Sequence, residues 1–352
     1  MNIGKIKLKL NMIRALWPTL TAPKIFNWMG YRLNKKILPE WNYFSPVSLD
    51  IEPTINCNLS CAFCHNKNLV RDKRSIDLDD FKDILSNFPR ILRLNIQGMG
   101  EPLLNPELPD MIRYAKEKKN FVTLTTNGTL LNKDMAEKLV QSGIDRILIS
   151  LDAPQKEIYE RVRPGANFEA VIDNVRGLTA TRGKRKKPLV YIWMLGTRES
   201  ISQVEKMINL AGDLGVDGLV LQMNLTGWGK DEWDEKVKDL KADYATVEEK
   251  LFDFQKLAKR KNIIFNINKD FTYFKKSRRD RCGWFWGGAY VSSDGQMPPC
   301  CLVADPKVFS FGNIFIAKFK DIRNSDKYRE MRKKIKNGDY PDFCNNCIEK
   351  KL

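Results

Sequence analysis

Three cysteines spaced Cys57-x3-Cys61-x2-Cys64 bring soft thiolate donors together within one short stretch. A four-iron cluster held wholly by protein takes four thiolates, so a compact trio leaves one iron open to a small molecule. Cys282, Cys300, Cys344 and Cys347 supply four more thiolates, enough to close the coordination of a second cluster. The adjacent Cys301 is then surplus. It could exchange roles with Cys300, although spacing favours Cys300. Zinc is the alternative occupant of both sets, most directly of the C-terminal one, since paired thiols also suit Zn²⁺. The only histidine, His65, adjoins the trio and reads as a supporting or solvent-facing group rather than a ligand.

Both sets need a frame. From residue 47 to residue 268, short β-rich runs alternate with segments of helical period, the pattern of parallel βα units. Strands are predicted at 47–54, 91–98, 121–128, 146–153, 189–195 and 218–224, and helices at 77–88, 106–118, 132–142, 168–181 and 200–214. Asp77, Asn132 and Ser200 stand as capping residues, and a last helix at 244–261 leads to a further strand at 263–268. Repeated right-handed crossovers curl such a sheet into a full or partial barrel with ligands at the carboxyl ends of its strands. The expected fold is therefore α/β, a partial (β/α)6 TIM-like barrel over residues 46–270, with a doubly wound open sheet as the alternative. The trio follows directly on the first strand, at the functional end of such a barrel.

In that position, with Phe63 just before its last cysteine, the trio resembles the signature of the radical S-adenosylmethionine superfamily. Gly98-Met99-Gly100-Glu101-Pro102, closing the second strand, resembles the family's Gly-Gly-Glu-Pro segment, whose backbone meets the amino group of the cofactor's methionine; here a Met separates the glycines. Asn127 in Thr126-Asn127-Gly128 and both Ser150 and Asp152 in Ser150-Leu151-Asp152 fall where relatives place polar groups against the cofactor's ribose or carboxylate. Arg161 or Arg163 could pair with that carboxylate bidentately, and Arg163 is preferred. The resemblance implies a [4Fe–4S] cluster on Cys57, Cys61 and Cys64 that binds S-adenosylmethionine at its open iron. It also implies reductive cleavage to a 5′-deoxyadenosyl radical that abstracts hydrogen from substrate, with a reducing partner such as flavodoxin or ferredoxin. The protein's task is then positioning and exclusion of water rather than acid–base catalysis, which fits the scarcity of histidine.

Residues 271–352 form a cysteine-rich stretch with an expected hairpin turning at Asp294-Gly295. Cys282, that turn, Pro299-Cys300, Gly312-Asn313-Ile314 and the terminal Cys344-x2-Cys347 resemble the SPASM/twitch module in its single-cluster form. A second [4Fe–4S] cluster there would accept an electron, making the net reaction an oxidation, or would orient substrate; alternatively a thiol, with Cys301 as the candidate, would return a hydrogen atom from the opposite face and make the net reaction an epimerisation.

The formal charge of +17 favours anionic partners. Residues 1–45 carry Lys5, Lys7, Lys9, Arg14, Lys24, Arg32, Lys35 and Lys36 with no acid before Glu40, interleaved with apolar residues at helical spacing. This segment is expected either to dock on the inner face of an anionic membrane, at about 1 kcal/mol per basic residue, or to pack across the barrel as a lid. No secretory signal and no apolar run long enough to span a bilayer is evident, so a cytoplasmic protein is expected. The clustered cysteines then read as metal ligands rather than disulfides. No peptide-recognition domain is evident, which favours a carbohydrate, lipid or lipid-linked substrate over a peptide. A zinc-binding scaffold without enzymatic activity is the remaining alternative. No nucleic-acid-binding motif accompanies the charge, and the 184–187 run reads as a solvated loop.

Overall fold

Strand segments rich in Val, Ile and Leu are buried on both faces, as a parallel sheet jacketed by helices requires. The computed structural model describes residues 17–37, 40–69, 71–223, 225, 229–268 and 282–344. Its strands are β1 (Ser48–Ile51), β2 (Arg93–Ile96), β3 (Phe121–Thr126), β4 (Arg146–Ser150), β5 (Leu189–Leu195), β6 (Gly218–Gln222), β7 (Ile264–Asn268) and β8 (Gly288–Val291). They form one 8-stranded sheet in the order β7-β6-β5-β4-β3-β2-β1-β8, every neighbouring pair parallel. Sequential neighbours from β1 to β7 make the partial barrel that the βα repeat predicts, and the doubly wound order is absent from the described strands.

The helices are α1 (Ala22–Ile37), α2 (Leu78–Ser86), α3 (Leu108–Glu117), α4 (Lys133–Gln141), α5 (Lys156–Val162), α6 (Phe168–Arg182), α7 (Val204–Asp213), α8 (Asp231–Val237), α9 (Ala245–Glu248), α10 (Leu251–Arg260), α11 (Trp284–Gly287), α12 (Phe319–Ile322) and α13 (Asp326–Asn337). Asp77 and Asn132 cap α2 and α4 by accepting from Asp80 N and Met135 N. Ser200 does not cap its helix. Its hydroxyl is occupied inside the preceding turn, donating to Leu195 O at 2.6 Å and accepting from Thr197 N.

The eighth strand was not among the predicted elements. Gly288–Val291 is only four residues long and follows directly on the aromatic turn α11, so it carries no period of its own. It pairs with β1 from Ser48↔Gly288 to Ile51↔Val291, which brings the C-terminal stretch into the same sheet beside the cysteine trio. The turn at Asp294-Gly295 is present, with Gly295 at φ +77° and Ser292 N donating to Gln296 O at 3.0 Å. Its return limb does not lie back on β8. Gln296 bridges Asn313, and Met297 exchanges backbone hydrogen bonds with residues 311 and 312.

α1 lies at the amino end of the sheet. Lys24 reaches the C-terminus of α3, where its ammonium donates to Lys118 O at 3.0 Å, Lys119 O at 2.7 Å and Asn120 Oδ1 at 2.8 Å, groups that directly precede β3. Asn42 Nδ2 donates to Trp286 O, just ahead of β8. Over its described residues, 17–37 and 40–45, the N-terminal segment is thus no lid over the barrel mouth, which opens at the other end, and residues 1–16 of the expected lid lie outside the described residues.

Candidate active site

The loop after β1 is sewn to the ends of the next strands by backbone and amide contacts. Glu101 N donates to Asn56 O at 2.8 Å, and Asn66 Nδ2 donates to both Ile55 O and Met99 O. Ser60 N and Ala62 N donate to Pro164 O and Val162 O, which ties the loop to the end of α5. Asn58 Oδ1 accepts from Asn127 Nδ2 at 3.0 Å, and Asn58 Nδ2 donates to Thr129. Held in this way, Cys57, Cys61 and Cys64 line one cavity of about 240 Å³ together with Gly98, Gly100, Glu101, Asn127, Ser150, Arg163, Tyr290 and Cys301. The sequence-predicted residues of four successive strands therefore meet at one place. Asp152 is not on the cavity wall; it lies behind it, where it accepts from Arg163 Nε at 2.6 Å and Leu195 N at 2.9 Å.

Arg163 is buried, with its guanidinium over the Phe63 ring at 5.3 Å and Nη1 3.7 Å from Cys61 Sγ. Arg161 is exposed and pairs with Glu199, outside the cavity. Burial raises the pKa of all three thiols, that of Cys64 to about 12, while the nearby Arg163 cation opposes the rise. Burial thus favours the protonated thiols, and binding iron requires them to give up their protons. Glu101 is buried and its carboxyl pKa is raised by that burial, against hydrogen bonds from Asn127 N at 2.7 Å, the Thr126 hydroxyl at 2.6 Å and Leu103 N at 3.1 Å. With these donors Glu101 straps β2 to β3 beneath the cavity rim.

Several residues that sequence reasoning missed hold this wall together. Glu52, fully buried at the end of β1, accepts from Arg71, from Met99 N at 2.9 Å, from Ser293 N and Oγ, and from the Tyr290 hydroxyl. Arg71 also reaches Ala304 O and Asp294. One carboxylate thus joins the glycine turn, the cysteine loop and the C-terminal stretch. The available signal was an acid directly after the first strand, two residues beyond Asp50. The glycines answer to the same packing: a Cβ at Gly98 would fall 2.4 Å from Glu52 Cγ, and one at Gly100 would fall 2.1 Å from Thr54 O.

His65 is neither solvent-facing nor hydrogen-bonded. It is buried edge-on to Trp233 of α8 with ring centroids 4.9 Å apart, and neither ring nitrogen has a hydrogen-bond partner among the described residues. Of the C-terminal cysteines, Cys301 packs with Cys64, Ile55, Met99 and Tyr290 against the cavity, whereas Cys282 packs on the main core. Cys300 and Cys344 are half-buried and off the cavity wall, and Cys347 lies outside the described residues. Among the described residues no three His, Cys, Asp or Glu side chains are grouped to hold a single metal ion. Three thiols facing a cavity with room beside them suit a cluster with one open iron.

Below the cavity, Asp50 is buried in the barrel, where it accepts from Asn95 Nδ2 at 2.6 Å and Gln97 Nε2 at 2.7 Å. Burial raises its pKa to about 6, the two amides opposing only in part. The stabilisation from its protonated form is complete below the unfolded value of about 4 and is lost as pH rises through about 6. Asp50→Asn, which cannot ionise, is expected to gain on the wild type across that window by on the order of 3 kcal/mol in urea unfolding. Parallel stability curves for the two proteins would remove the assignment.

A parallel barrel with three thiols on the loop after its first strand, facing a glycine turn on its second, is the architecture of one enzyme class. The family model for the Radical SAM superfamily matches residues 51–211, and that for SPASM, an iron–sulfur cluster-binding domain, matches residues 282–348. The chain belongs to the radical SAM superfamily and carries a SPASM-type auxiliary-cluster region. Its cofactors are accordingly S-adenosylmethionine and [4Fe–4S] clusters. It is 26% identical over 326 residues to the tungsten-containing aldehyde ferredoxin oxidoreductase cofactor-modifying protein of Pyrococcus furiosus, covering 85% of this chain and 86% of that one. It is 30% identical over 189 residues to the PqqA peptide cyclase of Streptomyces rochei, covering 53% of this chain and half (50%) of that protein. Among solved structures, Streptococcus suis SuiB bound to precursor peptide SuiA superposes with a TM-score of 0.68 at 18% identity, covering 86% of this chain and 69% of SuiB. At that identity the likeness is one of fold.

Proposed function

We propose that this enzyme modifies a peptide or peptide-derived substrate. The expectation of a carbohydrate, lipid or lipid-linked substrate gives way here, because relatives are named for peptides or for cofactor maturation and none of those described is named for a lipid or a sugar. The observation that carries the reading is the single cavity in which the barrel's cysteine trio and Tyr290, Cys301 and Leu302 of the C-terminal region share one wall. A substrate lying there touches both regions at once.

In this reading Cys57, Cys61 and Cys64 hold the catalytic cluster, and Cys282, Cys300, Cys344 and Cys347 hold the auxiliary one. Bound together, cluster and S-adenosylmethionine supply a carbon radical able to abstract hydrogen. The chain's own residues do the rest. Gly98 and Gly100 let the turn after β2 close onto Glu52 and Thr54 beside the cavity, Asn127 and Ser150 offer polar groups to the cofactor, and Asp152 fixes Arg163 beside Cys61. Residues 1–45, 46–270 and 271–352 are proposed as the docking segment, the barrel and the auxiliary-cluster region. A reducing partner of the flavodoxin or ferredoxin kind supplies electrons.

A second reading within the same class follows from the place of Cys301 on the cavity wall. Its thiol would return a hydrogen atom to the substrate radical, and the sulfur radical left behind would take an electron and a proton from the reducing system. Both readings are tested by incubating reduced, reconstituted enzyme in D2O with peptide and with carbohydrate or lipid fractions. The peptide fraction is expected to raise 5′-deoxyadenosine formation about tenfold or more over the uncoupled level. Stimulation only by the other fractions would sink the peptide reading. A product deuterium lost in Cys301→Ala marks hydrogen return, whereas a product short of hydrogen marks oxidation and overturns it.

A further inference from the structure

Helix α1 is amphipathic in the reverse sense of an ordinary surface helix. Its buried positions are polar: Lys24, Asn27 and Asn34. Each engages the body of the protein, Lys24 at the end of α3, Asn27 on both backbone groups of Ser45, and Asn34 on Trp41 O and Tyr43 N. The apolar side chains point the other way. Ile25, Phe26, Trp28, Met29, Leu33 and Ile37 are all exposed, Phe26 by 66% and Leu33 by 59%, and Trp17, Trp41 and Tyr43 are exposed beside them. A water-facing surface has no use for an apolar patch of this extent.

A second observation concerns charge. A separate cavity of about 410 Å³ adjoins this face through Tyr43 and Ser45 and is lined by Arg90, Lys318, Lys320 and Arg323, with no acidic side chain on its wall. None of the four cations forms an ion pair among the described residues, and the buried Arg323 Nε has no hydrogen-bond partner. Tyr43 belongs to both features, so the apolar face and the basic cavity are continuous.

We propose that this end of the molecule docks on an anionic lipid bilayer, with the apolar face of α1 in the interfacial layer and the Arg90–Arg323 cavity on a lipid phosphate. Charge selects that occupant. Arg32, Lys35 and Lys36 on α1 and Arg90, Lys318, Lys320 and Arg323 in the adjoining cavity give this end a positive charge, so two copies of this face would repel each other, whereas acidic headgroups attract it. Exposed Trp and Tyr at the rim suit the bilayer interface, and nucleic acid would leave the apolar face uncovered. The docking face lies at the amino ends of the strands and the catalytic cavity at their carboxyl ends. Docking therefore localises the enzyme while its cavity faces away from the lipid, and it stands or falls independently of the peptide reading.

The test is flotation of the full chain with vesicles of phosphatidylcholine alone and of phosphatidylcholine mixed with phosphatidylglycerol. Binding is expected only to the acidic vesicles and is expected to fall with added salt. Met29→Glu with Leu33→Glu should weaken it about tenfold or more, and Arg90→Ala with Lys320→Ala by about fivefold per cation. Circular dichroism and 5′-deoxyadenosine formation should stay unchanged in all of these variants. Undiminished flotation of the Met29→Glu, Leu33→Glu protein overturns the proposal. So does a wild type that ignores vesicles, whether it forms a dimer those substitutions dissociate or retains nucleic acid instead.

Discussion

Alanine at any one of Cys57, Cys61 or Cys64 is expected to lower 5′-deoxyadenosine formation by about a thousandfold or more, to the uncatalysed background. The three thiols line one cavity, and Cys301 is the one further cysteine among the described residues that lines it. A cluster held by two thiolates has lost an anchor, not merely one contact among many, so the effect is all-or-none rather than graded. Iron content provides a readout apart from activity: the variants should lose about four irons per chain and keep the auxiliary cluster's share. The fold should survive, because the loop is tied down by Asn66, Asn58 and Glu101 rather than by its thiols. Turnover that persists in any of the three variants would end the assignment.

Glu52→Ala is expected to cost about 3–5 kcal/mol in unfolding free energy, the range for a buried ion pair that loses one partner. The Arg71 side chain is 3% exposed and Glu52 is wholly buried, so the orphaned guanidinium could not turn to water without dragging the cysteine loop with it. Met99 N, Ser293 N and the Tyr290 hydroxyl would lose their acceptor as well, each a buried group left unsatisfied. Because these donors belong to the glycine turn, β8 and the loop after it, the variant should also bind S-adenosylmethionine more weakly, although Glu52 is not on the cavity wall. Glu52→Leu with Arg71→Met should recover only the part owed to the orphaned guanidinium, since Met99 N, Ser293 N and the Tyr290 hydroxyl still lack their acceptor. Denaturant unfolding and cofactor titration of the single and double variants check both effects. A single variant as stable as the wild type would show that the carboxylate is not the joint described here.

The barrel was legible because its signals are local. Most strands from β1 to β7 are short runs closed by Gly, Asn, Asp or Pro, and Asp77 and Asn132 cap helices where their side chains predict. The trio, the glycine turn, Asn127 and Ser150 sit on successive strand ends, and a parallel sheet gathers all such ends at one edge. Ser200 misled because a hydroxyl suited to capping is equally suited to closing the turn before the helix. β8 escaped because four residues cannot display a period.

By itself, the amino-acid sequence determined the chemistry: the thiol spacing, the glycine turn and the C-terminal cysteines mark the class without reference to contacts. Only the tertiary structure decided which thiol faces the cavity, Cys301 rather than Cys300, and that Asp152 serves Arg163 from behind the wall. It alone made Glu52 a joint, since the five groups it binds come from positions as far apart as 71 and 293. It also turned α1 around. Periodicity in a sequence shows that a helix has two faces, but which face is buried depends on what the body offers, and here α3 and Ser45 offered backbone groups that only Lys24 and Asn27 could satisfy.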